Sequence, residues 1–296
     1  MAIESRSIQK PFRKLRRLLK RISEPVEPEQ VHELRTGARR IEAMLHALEL
    51  GHRSVAGELL KHLKPMRKAA GAVRDMDVLI ASAATLPHEG EEVCFVHLLE
   101  ELAEDRRKAA NKLDKTLHAR RRSTRELLEK VLDSLVSGVR GDEKEGVRAN
   151  AQMAAQFMAS SLQLETELAR WPKLNVRNLH AYRLKVKELR SLLELGRKPE
   201  ADFRNALRAA KDHIGAWHDW SELSRIAVKK LRHGASCGLR QRIAAREKEQ
   251  RRKALASANK VQRNYFGKSS PGRLKKDVSS VRLGSAVVSA TADLAG

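Results

Sequence analysis

Two stretches of the sequence set a histidine at the head of a row of cations. From Val31 the chain reads VHELRTGARRIEAMLHALEL, and from Leu179 it reads LHAYRLKVKELRSLLELGRK. With His32 placed on His180, Arg35 falls on Arg183 and Arg39 on Lys187. The apolar residues Leu34, Ala38, Ile41 and Leu45 fall on Tyr182, Val186, Leu189 and Leu193. Each copy is followed by a second repeated segment, LKPMRKAAGAVRDMDVL from Leu63 and LRAAKDHIGAWHDWSEL from Leu207. There Gly71 meets Gly215, Lys64 meets Arg208, Arg67 meets Lys211, Arg74 meets His218 and Asp75 meets Asp219. The second motif's offset is shorter than the first's by about one helical turn. Two motifs in the same order, twice, point to an internal duplication.

The spacing is that of a helix. Positions i, i+3, i+7 and i+10 lie within roughly 80° of one another at 3.6 residues per turn. His32, Arg35 and Arg39 therefore share one stripe, as do His180, Arg183, Lys187 and Arg190. Lys64, Arg67, Gly71 and Arg74 repeat the spacing, and so do Arg208, Lys211, Gly215 and His218. The apolar residues lie on an adjoining face, so each helix can bury one side and offer a cationic edge. The chemistry suits phosphate. Arginine presents a planar fork of donors, lysine a mobile point charge, and histidine a donor whose protonation is favoured beside negative charge.

Each basic stripe on the follower segments holds a glycine, which costs roughly 1 kcal/mol in a helix relative to alanine. Close packing of a neighbouring helix and access for a ligand both explain its presence. Asp75 and Asp219 read as groups that orient nearby Arg or His side chains. Asp75 with Asp77 could suggest a metal pair, but the second copy has Ser221 at the latter position, so no metal, cofactor or catalytic residue is expected.

Composition limits the partner. Lys and Arg number 60 against 37 Asp and Glu, a formal charge of +23, so the chain calls for an anionic partner or dense counter-ions. Nucleic acid, an anionic membrane surface and free polyphosphate meet that description, as does a merely soluble basic surface. Aromatic residues make up only 3% and are scattered, which disfavours base-stacking nucleic-acid modules and favours a ligand that is all phosphate. The two cysteines, Cys94 and Cys237, are far apart in sequence and read as ordinary thiols, neither a disulfide framework nor a zinc site. No stretch approaches the roughly 18 apolar residues of a membrane span, and no leader pattern opens the chain, so a cytoplasmic location is expected.

These stripes need helices to carry them. Apolar residues recur at helical spacing almost throughout, predicting an all-α fold of eight helices near 4–23, 28–50, 53–84, 90–137, 144–171, 175–196, 200–233 and 235–265. Pro25 and Pro28, Pro87 to Gly90, Gly138 to Asp142, Pro172 and Pro199 supply the breaks, and Pro65 is expected to kink or restart the third helix. The segment 267–296 is rich in Ser, Gly and Ala with Arg273, Lys275, Lys276 and Arg282, and is expected to be a flexible basic tail.

The duplicated set, VHELRTGARR with GAVRDMDVL and LHAYRLKVKELR with GAWHDW, resembles the CHAD family, the conserved histidine α-helical domain. The resemblance covers roughly residues 4 to 265, within a domain spanning 1–266. It implies two pseudo-symmetric four-helix bundles, about 4–138 and 143–265, with a basic groove or channel. It also implies non-enzymatic binding of inorganic polyphosphate and association with polyphosphate granules. Carried over residue by residue, the site is His32, Arg35, Arg39 and Arg40 with Lys64, Arg67 and Arg74. In the second half it is His180, Arg183, Lys187 and Arg190 with Arg208, Lys211 and His218. Glu42 and Glu188 stand where the family often has basic residues, and His218 where arginine is usual. Two further readings are a protein that binds nucleic-acid backbone or ribosomes and an enzyme or accessory domain of polyphosphate or triphosphate metabolism. The chain has no P-loop, no zinc-ligand set and no strand-borne Glu-x-Glu-x-Lys, since Glu247 and Glu249 sit in a helical, Arg-rich context.

Overall fold

The computed structural model describes residues 5–50, 54–137, 143–195, 200–231 and 236–267. These hold eight α-helices and no strand: α1 (Ser5–Arg21), α2 (Pro28–Ala47), α3 (Ser54–Ala84), α4 (Glu92–Ser137), α5 (Glu143–Ala169), α6 (Val176–Leu195), α7 (Ala201–Lys230) and α8 (Gly238–Val261). A π-helical turn, Gln262–Phe266, follows α8. The expected helices are present, with most of their ends drawn in by one to four residues and α5 beginning one residue earlier. α2 stops at Ala47 because the backbone reverses there, with Glu49 at φ 53° and its N–H donating to the His46 carbonyl.

Local chemistry sets the starts of the two histidine helices. Pro28 opens α2, where a missing N–H is harmless and the fixed φ is already helical. Asn175 caps α6, its Oδ1 accepting the N–H groups of Arg177 at 2.8 Å and Asn178 at 3.3 Å. In both helices the histidine then opens the second turn.

Pro65 does not restart the helix. α3 runs through it as one helix from Ser54 to Ala84, without a restart. An interior proline costs about 3 kcal/mol. Leu59, Leu63 and Met66 around it are fully buried, at roughly 1.5–3 kcal/mol each, so the packed face offsets the lost hydrogen bond.

The helices close on one another by their apolar faces. α1 packs on α2, α2 on α3, α3 on α4, and α4 returns to α1. In the second half α5 packs on α6, α6 on α7 and α7 on α8, and the π-helical turn returns to α5. Leu34, Ala38, Ile41 and Leu45 are 0% exposed, as are Tyr182, Val186 and Leu189, so the repeated apolar face is the core face. The halves meet through α2 on α6 and α3 on α7. A separate apolar cluster forms beyond this contact. Leu79, Ala83 and Leu86 of α3 and its following turn, with Leu98 and Leu102 of α4, pack with Trp220, Leu223 and Ile226 of α7 and Leu239 and Ile243 of α8.

Among the described residues no helix is long and apolar enough to cross a membrane. The breaks placed at Gly138 to Asp142 and Pro199, and the basic residues Arg273, Lys275, Lys276 and Arg282, lie outside the described residues.

Candidate functional site

The histidine helices and their followers pair as antiparallel hairpins, which decides which cations meet. In the first, Arg35 Nη1 lies 2.9 Å from Asp75 Oδ1 and Arg67 Nε 2.5 Å from Glu42 Oε2, so the order of partners reverses along the pair. In the second, the rings of His180 and His218 lie 4.5 Å apart and Arg183 Nε donates to the Lys211 carbonyl at 3.3 Å. The head of each histidine stripe therefore faces the later turns of the follower helix.

Where the halves meet, a cleft of about 630 Å³ opens. His32, Arg35, Arg39 and Arg40 line it from α2, and His180, Arg183, Lys187 and Arg190 from α6. Arg74 joins from α3, and Lys211 and His218 from α7. The carboxylates in the lining are Glu33, Asp75 and Asp219, and no Phe, Tyr or Trp contributes.

Three expected site residues do not line this cleft: Lys64, Arg67 and Arg208. The antiparallel return is the reason, because it carries the early turns of α3 and α7 away from the histidines. Arg67 is instead engaged by Glu42, which stands where the resemblance called for a cation. Arg208 lies near Asp212, with Nε 3.9 Å from Oδ2. Glu188 lines a smaller hollow elsewhere, beside Lys185 and Glu167, and is not part of the cleft lining. Asp77 turns to Arg106 of α4 at 2.6 Å, away from the Asp75–Arg35 pair.

The cations of the two halves act on one another. Burial, then the facing Arg183, Arg39, Arg35 and Lys211, push the Lys187 ammonium down to about 7. Burial and then Arg35, Arg67 and Arg183 lower Arg39 to about 10. Burial, chiefly, also lowers His180 and His218, with Arg183 and Lys187 acting in the same direction. Asp219 moves the other way, raised to about 6 by burial and by Asp75 against the pull of Arg183, Arg35 and Arg74. Burial is the leading cause for each lowered cation, and the neighbouring cations add to it.

The repeated glycines have a concrete role. A Cβ on Gly71 would lie 3.7 Å from Arg35 Nε, and one on Gly215 would lie 2.9 Å from Arg183 Nη2. What approaches each glycine is the guanidinium of the paired stripe. Arg35 rests over Gly71 and reaches Asp75 one turn on; Arg183 rests over Gly215, with Asp219 one turn on attracting it.

One wall of the cleft went unread in the sequence. α1 contributes Pro11, Lys14, Leu15 and Leu18, with Lys14 Nζ 2.8 Å from Glu33 Oε1. The signal was available in Lys10, Arg13, Lys14 and Arg17, spaced i, i+3, i+4 and i+7. It has no counterpart in the repeated motifs, which is why the repeats did not lead to it. Ser191 and Thr36 complete the polar lining.

The CHAD domain family matches residues 6–228. No curated protein matches the chain. Among solved structures, PptA from Streptomyces chartreusis is similar at a TM-score of 0.52 and 16% identity, over 90% of this chain and 99% of that one, a likeness of fold. With the family matched across most of its length, including both histidine helices and both followers, this chain belongs to the CHAD domain family.

Proposed function

We propose that the chain binds inorganic polyphosphate in the cleft between its halves and does not turn it over. The observation that carries the reading is the meeting of Arg35 and Arg39 on α2 with Arg183 and Lys187 on α6 in one cleft. A chain of phosphates entering there replaces cation–cation repulsion with charge-assisted hydrogen bonds. The lining without aromatics favours bare phosphate over stacked bases. In this reading the segments 4–138 and 143–265 are copies of one four-helix unit within a domain spanning 1–266. Their stripes line one continuous basic groove, and in the cytoplasm the protein associates with polyphosphate granules.

The test is calorimetric titration with long-chain polyphosphate and with orthophosphate at equal phosphorus. Long chains bind far more tightly, and each lost charge-assisted contact costs about 1.5–3 kcal/mol, so Arg39→Ala with Arg183→Ala weakens binding by at least about a hundredfold. If six contacts form, log K falls by about four per decade of salt. Equal binding of orthophosphate, preference for duplex DNA in moderate salt, or shortening of polyphosphate by the pure protein with Mg²⁺ overturns the reading.

A further inference from the structure

We propose that Glu91, Cys94 and Cys237 form a binding site for one divalent transition-metal ion of the zinc class, joining the start of α4 to the start of α8. The site is separate from the phosphate cleft and independent of its ligand. The chain's only two cysteines read as unrelated thiols in the sequence, yet folding brings them together from opposite halves. Both are buried, and the three ligand atoms lie within 4.8 Å of one another.

The distances suit tetrahedral coordination. Ligands at about 2.3 Å for sulfur and 2.1 Å for oxygen put a thiolate and a carboxylate oxygen about 3.6 Å apart. Cys237 Sγ lies 3.7 Å from Glu91 Oε2. The other carboxylate oxygen, Oε1, is held by the Gly238 N–H at the start of α8, which leaves Oε2 turned to the thiols. The turn carrying Glu91 is fixed in place. Gly90 takes φ 77°, which favours glycine, and Arg242 of α8 donates to the carbonyls of Pro87 at 3.1 Å and Glu89 at 3.3 Å. Such outer contacts orient ligands before a metal arrives.

Two thiolates and a carboxylate select zinc-like ions over calcium or magnesium, which prefer all-oxygen sets. On binding, each thiol releases its proton to solvent, and no electron transfer is involved. Three protein ligands leave a fourth position for water.

The full chain, reduced and freed of metal with a chelator, is titrated with Co²⁺ and followed by visible absorption. The expected result is a thiolate-to-cobalt charge-transfer band with tetrahedral ligand-field bands, saturating at one ion per chain and bleached by Zn²⁺. Cys94→Ser and Cys237→Ser each remove the charge-transfer contribution of one sulfur, and Glu91→Gln weakens binding because a neutral amide oxygen replaces a charged ligand. Should a serine variant fail to fold, the wild-type chain still decides, because Zn²⁺ then protects both thiols from alkylation. Absence of tetrahedral bands, a spectrum unchanged in Cys237→Ser, or unprotected thiols overturns the proposal. So does a Cys94–Cys237 disulfide whose reduced form takes up no Co²⁺.

Discussion

An arginine laid over a glycine occurs twice in this molecule, and the two copies are not equally spacious. At Gly71 a methyl group fits at ordinary contact distance from Arg35, whereas at Gly215 it meets Arg183 Nη2 at 2.9 Å. Gly71→Ala therefore gains helix propensity, up to about 1 kcal/mol, and raises the midpoint of urea denaturation with little change in polyanion affinity. Gly215→Ala displaces the Arg183 guanidinium from its seat and from the Lys211 carbonyl. Its effect appears as a several-fold loss of affinity with stability changed by less than about 1 kcal/mol, since the tip of a flexible side chain can move aside. Calorimetric titration beside denaturation curves separates the two outcomes; equal behaviour of both variants contradicts the seat assigned to Arg183. At this scale the sequence was informative about residue type and only partly about use: Asp75 does hold Arg35, as its reading as an orienting group expects. His32, Arg35, Arg39 and their copies were legible because a helical stripe is a local pattern. That the glycines receive arginines was not, because the arginine comes from another helix.

Hairpin direction governs which stripes cooperate. The antiparallel return brings His180 to His218 and takes Arg208 and Lys64 out of reach of the cleft. Element boundaries and the buried faces of α2 and α6 followed from periodicity, as Leu34, Ile41, Val186 and Leu189 illustrate. The meeting of α2 with α6, and the wall that α1 supplies through Lys14, depend on tertiary contacts that no local spacing encodes. The same meeting sets the pH response. Lys187 is held near 7 in the folded protein, so lowering pH from 8 to 6 adds its charge, while Asp219 loses its own near 6; His180 and His218, lowered by burial, gain charge only at more acid pH than an ordinary histidine. Each of these changes strengthens anion binding, by about tenfold where one charge-assisted contact is gained. Lys187→Arg should bind more tightly than the wild type at pH 8 and respond less to pH, and Lys187→Met should be weaker than the wild type at pH 6. For the ligand-free fold the lysine acts oppositely. Its folded value lies below the unfolded one, so the unfolded chain holds more protons between about 7 and the ordinary lysine range, and stability rises with pH across that window. Asp219, raised to about 6, favours the fold most below its ordinary value and loses that contribution as pH climbs through about 6. Thermal unfolding of the free protein at several pH values checks both signs.

A molecule carrying a formal charge of +23 resists its own compactness, and a polyanion relieves that resistance. Added salt should therefore stabilise the free protein while weakening its complex, two opposite trends from one cause. Long-chain polyphosphate at a hundred times its dissociation constant contributes about 2.7 kcal/mol, which for a chain of this size raises Tm by roughly 4–5 °C. Orthophosphate at equal phosphorus should shift Tm by less than about 1 °C, and scanning calorimetry at two ionic strengths tests the whole pattern. The apolar cluster of Leu79, Leu98, Trp220, Leu223 and Ile243 begins one turn beyond Asp75 and at the residue after Asp219, and includes no cation. It ties α3 and α4 to α7 and α8 as a rivet joins two plates. A side chain shortened there loosens the joint without removing any cation of the cleft.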